Sequence, residues 1–392
     1  MLSNKYIAVV VAVDWNSIEN VQRLSKSLQK HLPGYEIDIQ ALAYNAPMAF
    51  DEGHVCPSFN IFDWIQGFLP IVNSRNRCQQ HLQSIMTARG CLGMILDDDL
   101  VWHMEEASFD RILSTLKVRH SDMAFLGLDG DPPIPKEYSR ACPVLDALLH
   151  LRKVGMLSRA TSDRYLVDVE VAAGAPPPFS HHDYYALKKQ RFHARPFDFE
   201  LNAFVHRLYR GQATTRKQQG ISEVVDATGR ERGGATLVLN PEVLSIPNRS
   251  LALGDYVSRR SDMVMALSAY KEGFQMHCTP PALTHVRGES FDSHDPAKLI
   301  SDVLGVALVE SMTRQSDFNQ ELEARAEETI TILSETNRML ALLSRVAGLK
   351  PHSLSLIDLM VEESLQTIGR FDSLRCNYSG DLPSVHDQLW QR

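Results

Sequence analysis

Leu92-Gly93-Met94-Ile95-Leu96-Asp97-Asp98-Asp99 is a short apolar run delivered straight into three consecutive acids. A run of this length, preceded by Gly90 and ended by charge, reads as a β-strand buried on both faces. In open α/β sheets ligands collect beyond the carboxyl ends of the strands, which is where the acids would stand. Neighbouring carboxylates repel one another and resist joint ionisation. A divalent cation relieves that repulsion, and hard oxygen donors suit Mg²⁺ or Mn²⁺, which in turn hold phosphates. The same triplet also suits a solvated loop that caps the following helix.

Outward from this strand the chain repeats the same alternation. Residues 6–13 are another apolar run, followed by Asp14-Trp15-Asn16 and by Ile18, Val21, Leu24 and Leu28 on one helical face. Asn16 is the predicted N-cap, with Glu19 three residues on. Pro33-Gly34 ends that helix, and Ile37, Ile39 and Ala41 alternate in a strand over 36–43. Strand–helix–strand predicts a parallel sheet with crossover helices. A helix over 77–89, entered through Ser74-Arg75-Asn76-Arg77, leads into the acidic strand; a helix over 109–117 and a strand over 123–128 follow. Residues 45–70 and about 136–232 show no clear order. Arg232-Gly233-Gly234 precedes an apolar strand over 235–239, and a helix is predicted over 262–270. From Pro296 onward strand signals vanish, which places a boundary near 296. There Leu322, Ala326, Thr329, Leu333, Thr336, Leu340 and Leu343 keep a 4-3 spacing. That spacing predicts helix packing within the chain. Homo-oligomer formation through these helices is the minority reading, because threonines weaken such a seam.

The 392 residues hold 40 Lys and Arg against 48 Asp and Glu, a formal charge of −8, and 44% are hydrophobic. This excludes wholesale disorder and leaves room for two to three domains of roughly 150 residues. Mild acidity argues against a general nucleic-acid binder. The 6 cysteines form no CxxC pair, which argues against a zinc ribbon or disulfide framework and for reduced thiols. The apolar run near the start is far shorter than the roughly 20 residues of a membrane span, and it lacks the flanks of a signal peptide. A cytoplasmic location is the expectation.

Arg75-Asn76, a helix, a glycine, an apolar strand and Asp97-Asp98-Asp99, in that order, resemble the nucleotide-sugar-binding half of GT-A glycosyltransferases. The resemblance implies an α/β, GT-A-like (Rossmann-like) fold: a mixed, mostly parallel sheet flanked by helices, with an all-helical C-terminal region. It implies a catalytic domain over 1–295, with about 1–130 for the nucleotide sugar and about 131–295 for the acceptor, and a helical region over 296–392. In such enzymes an Asp-x-Asp motif binds the metal and the donor diphosphate. Asp97 and Asp99 then supply ligands, with Asp98 also at the donor and pointing the other way if strand geometry persists. Further on, Arg232-Gly233-Gly234, a strand, Ser258-Arg259-Arg260-Ser261-Asp262, a helix, Pro280-Pro281 and His285 are similar to the acceptor half. There a glycine-rich turn borders the sugar pocket, which corresponds to Gly233 and Gly234. An acid at the head of the helix is the base of inverting members, matched by Asp262, and a late histidine completes the metal shell, matched by His285. Many members carry Glu-Asp where this chain has Ser261-Asp262. Asp14, ending the first strand, holds the position at which this fold contacts the nucleotide base.

The chemistry agrees with that reading. Sugar transfer releases a pyrophosphate group whose growing charge needs a metal or cations. Arg75, Arg259 and Arg260 are candidate phosphate partners, since guanidinium pairs bidentately with phosphate. An acceptor hydroxyl needs a carboxylate to take its proton, the role for Asp262, although the helix dipole alone also favours an acid there. His181-His182-Asp183 and the aromatics Tyr184, Tyr185, Phe192, Phe197, Phe199, Phe204 and Tyr209 are weaker candidates for acceptor contact, core packing being the default for the rings. The expected activity is metal-dependent transfer from a nucleoside-diphosphate sugar to a glycan, protein or small-molecule acceptor. A nucleotidyltransferase would show a glycine-rich loop after the first strand, and Val13-Asp14-Trp15-Asn16 has none. An inactive scaffold that binds a partner through its helical tail is the third reading.

Overall fold

The structure is a computed structural model that describes residues 5–47, 58–131, 134–157, 200–212, 215, 221–231, 234–287 and 295–377. Strand β1 (Tyr6–Asp14) is buried on both sides: Ile7, Val9, Val11 and Val13 face one layer, and Tyr6, Ala8 and Val10 the other. It pairs in parallel with β2 (Glu36–Tyr44), which pairs with the edge strand β3 (Asn60–Ile65). On its other side lies β4 (Leu92–Asp97), also parallel, with Ala12 opposite Asp97. Strand β8 (Ala235–Val238) then runs antiparallel between β4 and β6 (Met123–Gly130). Strand β11 (Met276–His285) is parallel to β6, and the short β5 (Leu100–Trp102) and β7 (Val225–Asp226) pair antiparallel with β11. Among the described residues the sheet has 9 strands, ordered β3-β2-β1-β4-β8-β6-β11-β5 with β7 beside β11, and β9 (Ala252–Leu253) pairs antiparallel with β10 (Tyr256–Val257) in a separate ribbon. It is the expected mixed, mostly parallel sheet.

Helices cover both faces. Helix α1 (Ile18–His31) and α3 (Glu106–Val118) bury Leu24, Leu28, Phe109 and Leu116 against one face. Helix α2 (Ile71–Arg89) and α6 (Ser261–Lys271) bury Leu82, Met86, Met265 and Ala266 against the other. Two boundaries differ from the sequence reading. Asp14, not Asn16, makes the entry cap: its carboxylate accepts from Asn16 N at 2.9 Å and closes a 3₁₀ turn before α1 begins. Helix α2 begins at Ile71 behind Pro70, so Arg75 and Asn76 lie inside it. Its apolar face opens only at Cys78, because the first turns face the carboxyl rim of the sheet.

A third cluster joins α4 (Lys136–Lys153), α5 (Leu201–Tyr209) and the start of α6 to α7 (Pro296–Arg314), α8 (Phe318–Leu343) and α9 (Pro351–Asn377). Among the described residues, 295–377 contain helices and no strand. The 4-3 stripe of α8 is buried against this chain's own helices, so the seam is filled without a second copy. Thr329 and Thr336 fit there because their hydroxyls donate to Arg325 O and Ile332 O, each at 2.7 Å. Phe204 is a core residue of α5, and Tyr209 packs under Lys136 and Arg140. No described helix is long and apolar enough to cross a membrane.

Candidate active site

Parallel strands that end together place their last side chains along one rim. Here the ends of β1, β2, β4 and β11 bring Asp14, Tyr44, Asp97 and His285 to that rim. The acid triplet is where the chain turns: β4 stops at Asp97, Asp98 and Asp99 form the turn, and β5 starts at Leu100. Strand geometry does not persist through it, and the three carboxylates go to three different partners.

Asp97 faces α2 and α6. Arg75 Nη2 stands 3.5 Å from its Oδ1, and Arg75 Nη1 stands 3.3 Å from Asp262 Oδ2. One guanidinium therefore links the acid of the first half to the acid of the second. Burial works against the charge of Arg75, but Asp262 and then Asp97 outweigh it and raise its pKa. The Asp97 side chain is 50% exposed and that of Asp262 10% exposed, so Asp97 is the more open of the two. Gly234 fits the turn before β8 because a Cβ there would collide with the Asp97 carboxylate, and its carbonyl accepts from Asp97 N at 2.8 Å. Asn76 fixes the neighbouring loop, donating to Asn248 O at 3.0 Å and accepting from Asn248 N at 2.7 Å.

Asp98 turns to α1, where Asn20 Nδ2 donates to it at 3.3 Å. Burial, reinforced by the charge of Asp99, pushes its carboxyl up to about 7. Asp99 turns to β11: its Oδ2 lies 2.9 Å from His285 Nε2. Burial opposes the Asp99 charge, yet the His285 hydrogen bond and charge hold its carboxyl below the ordinary range. Burial likewise disfavours charged His285, and Asp99 overrides this and raises it. His285 Nδ1 sits 2.7 Å from Asp131 O, so that nitrogen donates and Nε2 is left to face Asp99. A ring nitrogen held by a carbonyl is the usual support of a metal-bound histidine. Asp99 Oδ1 is buried and has no hydrogen-bond partner among the described residues. Carboxylate and imidazole both suit Mn²⁺, so Asp99 and His285 fit a cation. Asp97 does not join them. Among the described residues no group of three His, Cys, Asp or Glu is close enough to share an ion. Of the expected set of Asp97, Asp99 and His285, the last two face each other while Asp97 faces Arg75, because β4 stops at Asp97 and the chain turns through Asp98 and Asp99.

Asp14 is occupied by its neighbours, accepting from Asn16 and, at 2.6 Å, from Asn45 Nδ2. Tyr44 was not singled out by sequence. Burial and then the charges of Asp98, Asp14 and Asp97 push its hydroxyl up to about 12, with the charge of Arg259 acting in the opposite sense. The Arg260 guanidinium is buried against Asp302, which corrects its reading as a phosphate partner. Arg232, Gly233, His181-His182-Asp183 and the aromatics from Tyr184 to Phe199 lie outside the described residues. Arg75 and Asp262, with Ile95, Phe125, Thr236 and Met265, line a cavity of about 30 Å³.

The sequence matches no protein-family profile and no curated protein. Solved structures similar to this one include TarS 1-349 of S. aureus, at 11% identity and TM-score 0.38, covering 94% of this chain and 83% of that one. The complex of TarS 1-349 with UDP-GlcNAc matches at 10% identity and TM-score 0.39, covering 99% and 93%. The mannosyltransferase PcManGT from Pyrobaculum calidifontis, in complex with GDP-Man and Mn²⁺, matches at 10% identity and TM-score 0.40, covering 96% and 88%.

Proposed function

We propose that the chain is a glycosyltransferase that takes a nucleoside-diphosphate sugar, with Asp262 as the base of an inverting transfer. The observation that supports this best is Arg75 bridging Asp97 and Asp262 beside the Asp99–His285 pair. Donor-side and acceptor-side acids thereby meet at one rim, from separate elements. A cation held by Asp99 and His285 would neutralise charge on the diphosphate as it leaves. Arg259, just before α6, would supply a further positive charge for phosphate. Asp262 stands in the first turn of α6, beside Arg75 and the positive end of the helix dipole. It takes the proton of an acceptor hydroxyl as that oxygen forms its bond to the anomeric carbon, while the bond from that carbon to the diphosphate oxygen breaks and the electron pair leaves with the diphosphate.

Asp262→Asn is nearly isosteric. It is expected to spare donor affinity and to lower turnover by roughly 10²–10⁴-fold, the usual worth of a general base. Steady-state turnover of UDP-, GDP-, CDP- and dTDP-linked sugars with Mn²⁺, and the anomeric configuration of the product, check it. Near-normal turnover or a retained configuration would remove Asp262 from that role.

A further inference from the structure

Asp262 is held in place from outside the sheet. Arg260, immediately before α6, has φ 67°, in the left-handed region. A residue with a side chain persists there only where its surroundings over-determine the backbone. Those surroundings belong to α7. Arg260 Nη2 lies 2.8 Å from Asp302 Oδ2, with the two side chains 3% and 2% exposed. Arg259 N donates to Ser301 O at 2.8 Å. Gly305, one turn along α7 from Ser301, lies so close under the Arg259 carbonyl that a Cβ would collide with it. A hydrogen bond, an ion pair and a close backbone approach thus grip two consecutive residues, and Ser261 and Asp262 come next. Asp302 is otherwise out of place, a carboxylate among Leu299, Ile300, Val303 and Leu304 in the core. A buried charge in such a setting is tolerated only when paired.

We infer that Arg260 and Asp302 are positioning residues for the transfer: through them the C-terminal helices hold Asp262 in register with Arg75 and Asp97. The inference rests on the reading of Asp262 as base. Displacing a reacting group by about 1 Å can cost 10²-fold, so a loosened turn is felt in turnover rather than in donor binding.

The test uses the full chain. Asp302→Asn leaves the buried Arg260 charge without its counter-charge and risks unfolding, so the working variant is Arg260→Met/Asp302→Leu, which replaces the pair by two apolar groups. This variant is expected to fold, to bind donor within about twofold of wild type, and to lose about tenfold or more in Mn²⁺-dependent donor hydrolysis. Amide hydrogen exchange over 261–264 should quicken while exchange in β1 and α1 does not change. In an Asp262→Asn background the same double change should cost no further turnover, because the group it positions is gone; a merely structural lesion would still show its full loss there. Unchanged exchange over 261–264, or losses that multiply in the Asp262→Asn background, would overturn the inference. Near-normal turnover in Asp262→Asn alone would instead remove the base on which it rests.

Discussion

Arg75 is the residue on which the site turns, because two carboxylates from distant parts of the chain are brought side by side around it. Without the guanidinium, the two carboxylates would lose the positive charge they share. Gly234 serves the same arrangement by leaving room for Asp97. Gly234→Ala should therefore displace that carboxylate and weaken Mn²⁺-dependent donor binding by about tenfold, or ~1.4 kcal/mol, with little change in melting temperature. Calorimetric titration checks this, and unaltered affinity would make Gly234 a turn residue only. Part of this was legible: the acids after an apolar strand and Asp262 at a helix head stand at the rim, as does His285, which the resemblance alone pointed to, while the strand that ends there, carrying Pro280-Pro281, was not read. The partition of the triplet was not, since it depends on where β4 stops, and neither was the burial of Arg260. Asp302 in an apolar run was the available signal for that second fact, because a core carboxylate demands a cation.

At the level of elements, periodicity located β1, β2, β4, α1, α3, α6 and the C-terminal helices, and it failed where tertiary structure replaces it. The first turns of α2 read as polar loop because they face the site rather than the core. Helix α4 was hidden because it is covered nearly all round and shows no polar stripe, with Ala141, Val144, Ala147 and Leu148 fully buried; α5 is a short amphipathic helix, with Phe204 and Val205 buried and Ala203 and Arg207 exposed, and its few turns did not stand out from the aromatic run around it. Helix α8 is the opposite case. Its stripe was plain in the sequence, and the structure fills it with α4, α7 and α9. Leu333, at 0% exposure in that seam, offers a direct measure. Leu333→Ala should destabilise the protein by about 2–5 kcal/mol, the cost of deleting a core leucine side chain. A urea unfolding midpoint would show it. A loss under about 1 kcal/mol would mean that the seam is loosely packed.

Across the described residues, three clusters share the work. Two sandwich the sheet, and the third binds the helices of 136–153 and 201–209 to those of 296–377 through the start of α6. The helices after 296 are thus continuous in packing with the segment that carries Asp262, while the rim side chains come from 14–99 and 262–285. The central claim is that this rim binds a nucleoside-diphosphate sugar with a divalent cation. Isothermal titration of the full chain with UDP-, GDP-, CDP- and dTDP-linked sugars, with Mn²⁺ and with a chelator, compared with Asp99→Asn, tests it most directly. The account predicts that at least one donor binds the wild type with Mn²⁺, and that its affinity falls at least about tenfold, or ~1.4 kcal/mol, both with the chelator and in Asp99→Asn. Binding of no donor, or Mn²⁺-dependent binding that Asp99→Asn leaves intact, would contradict it.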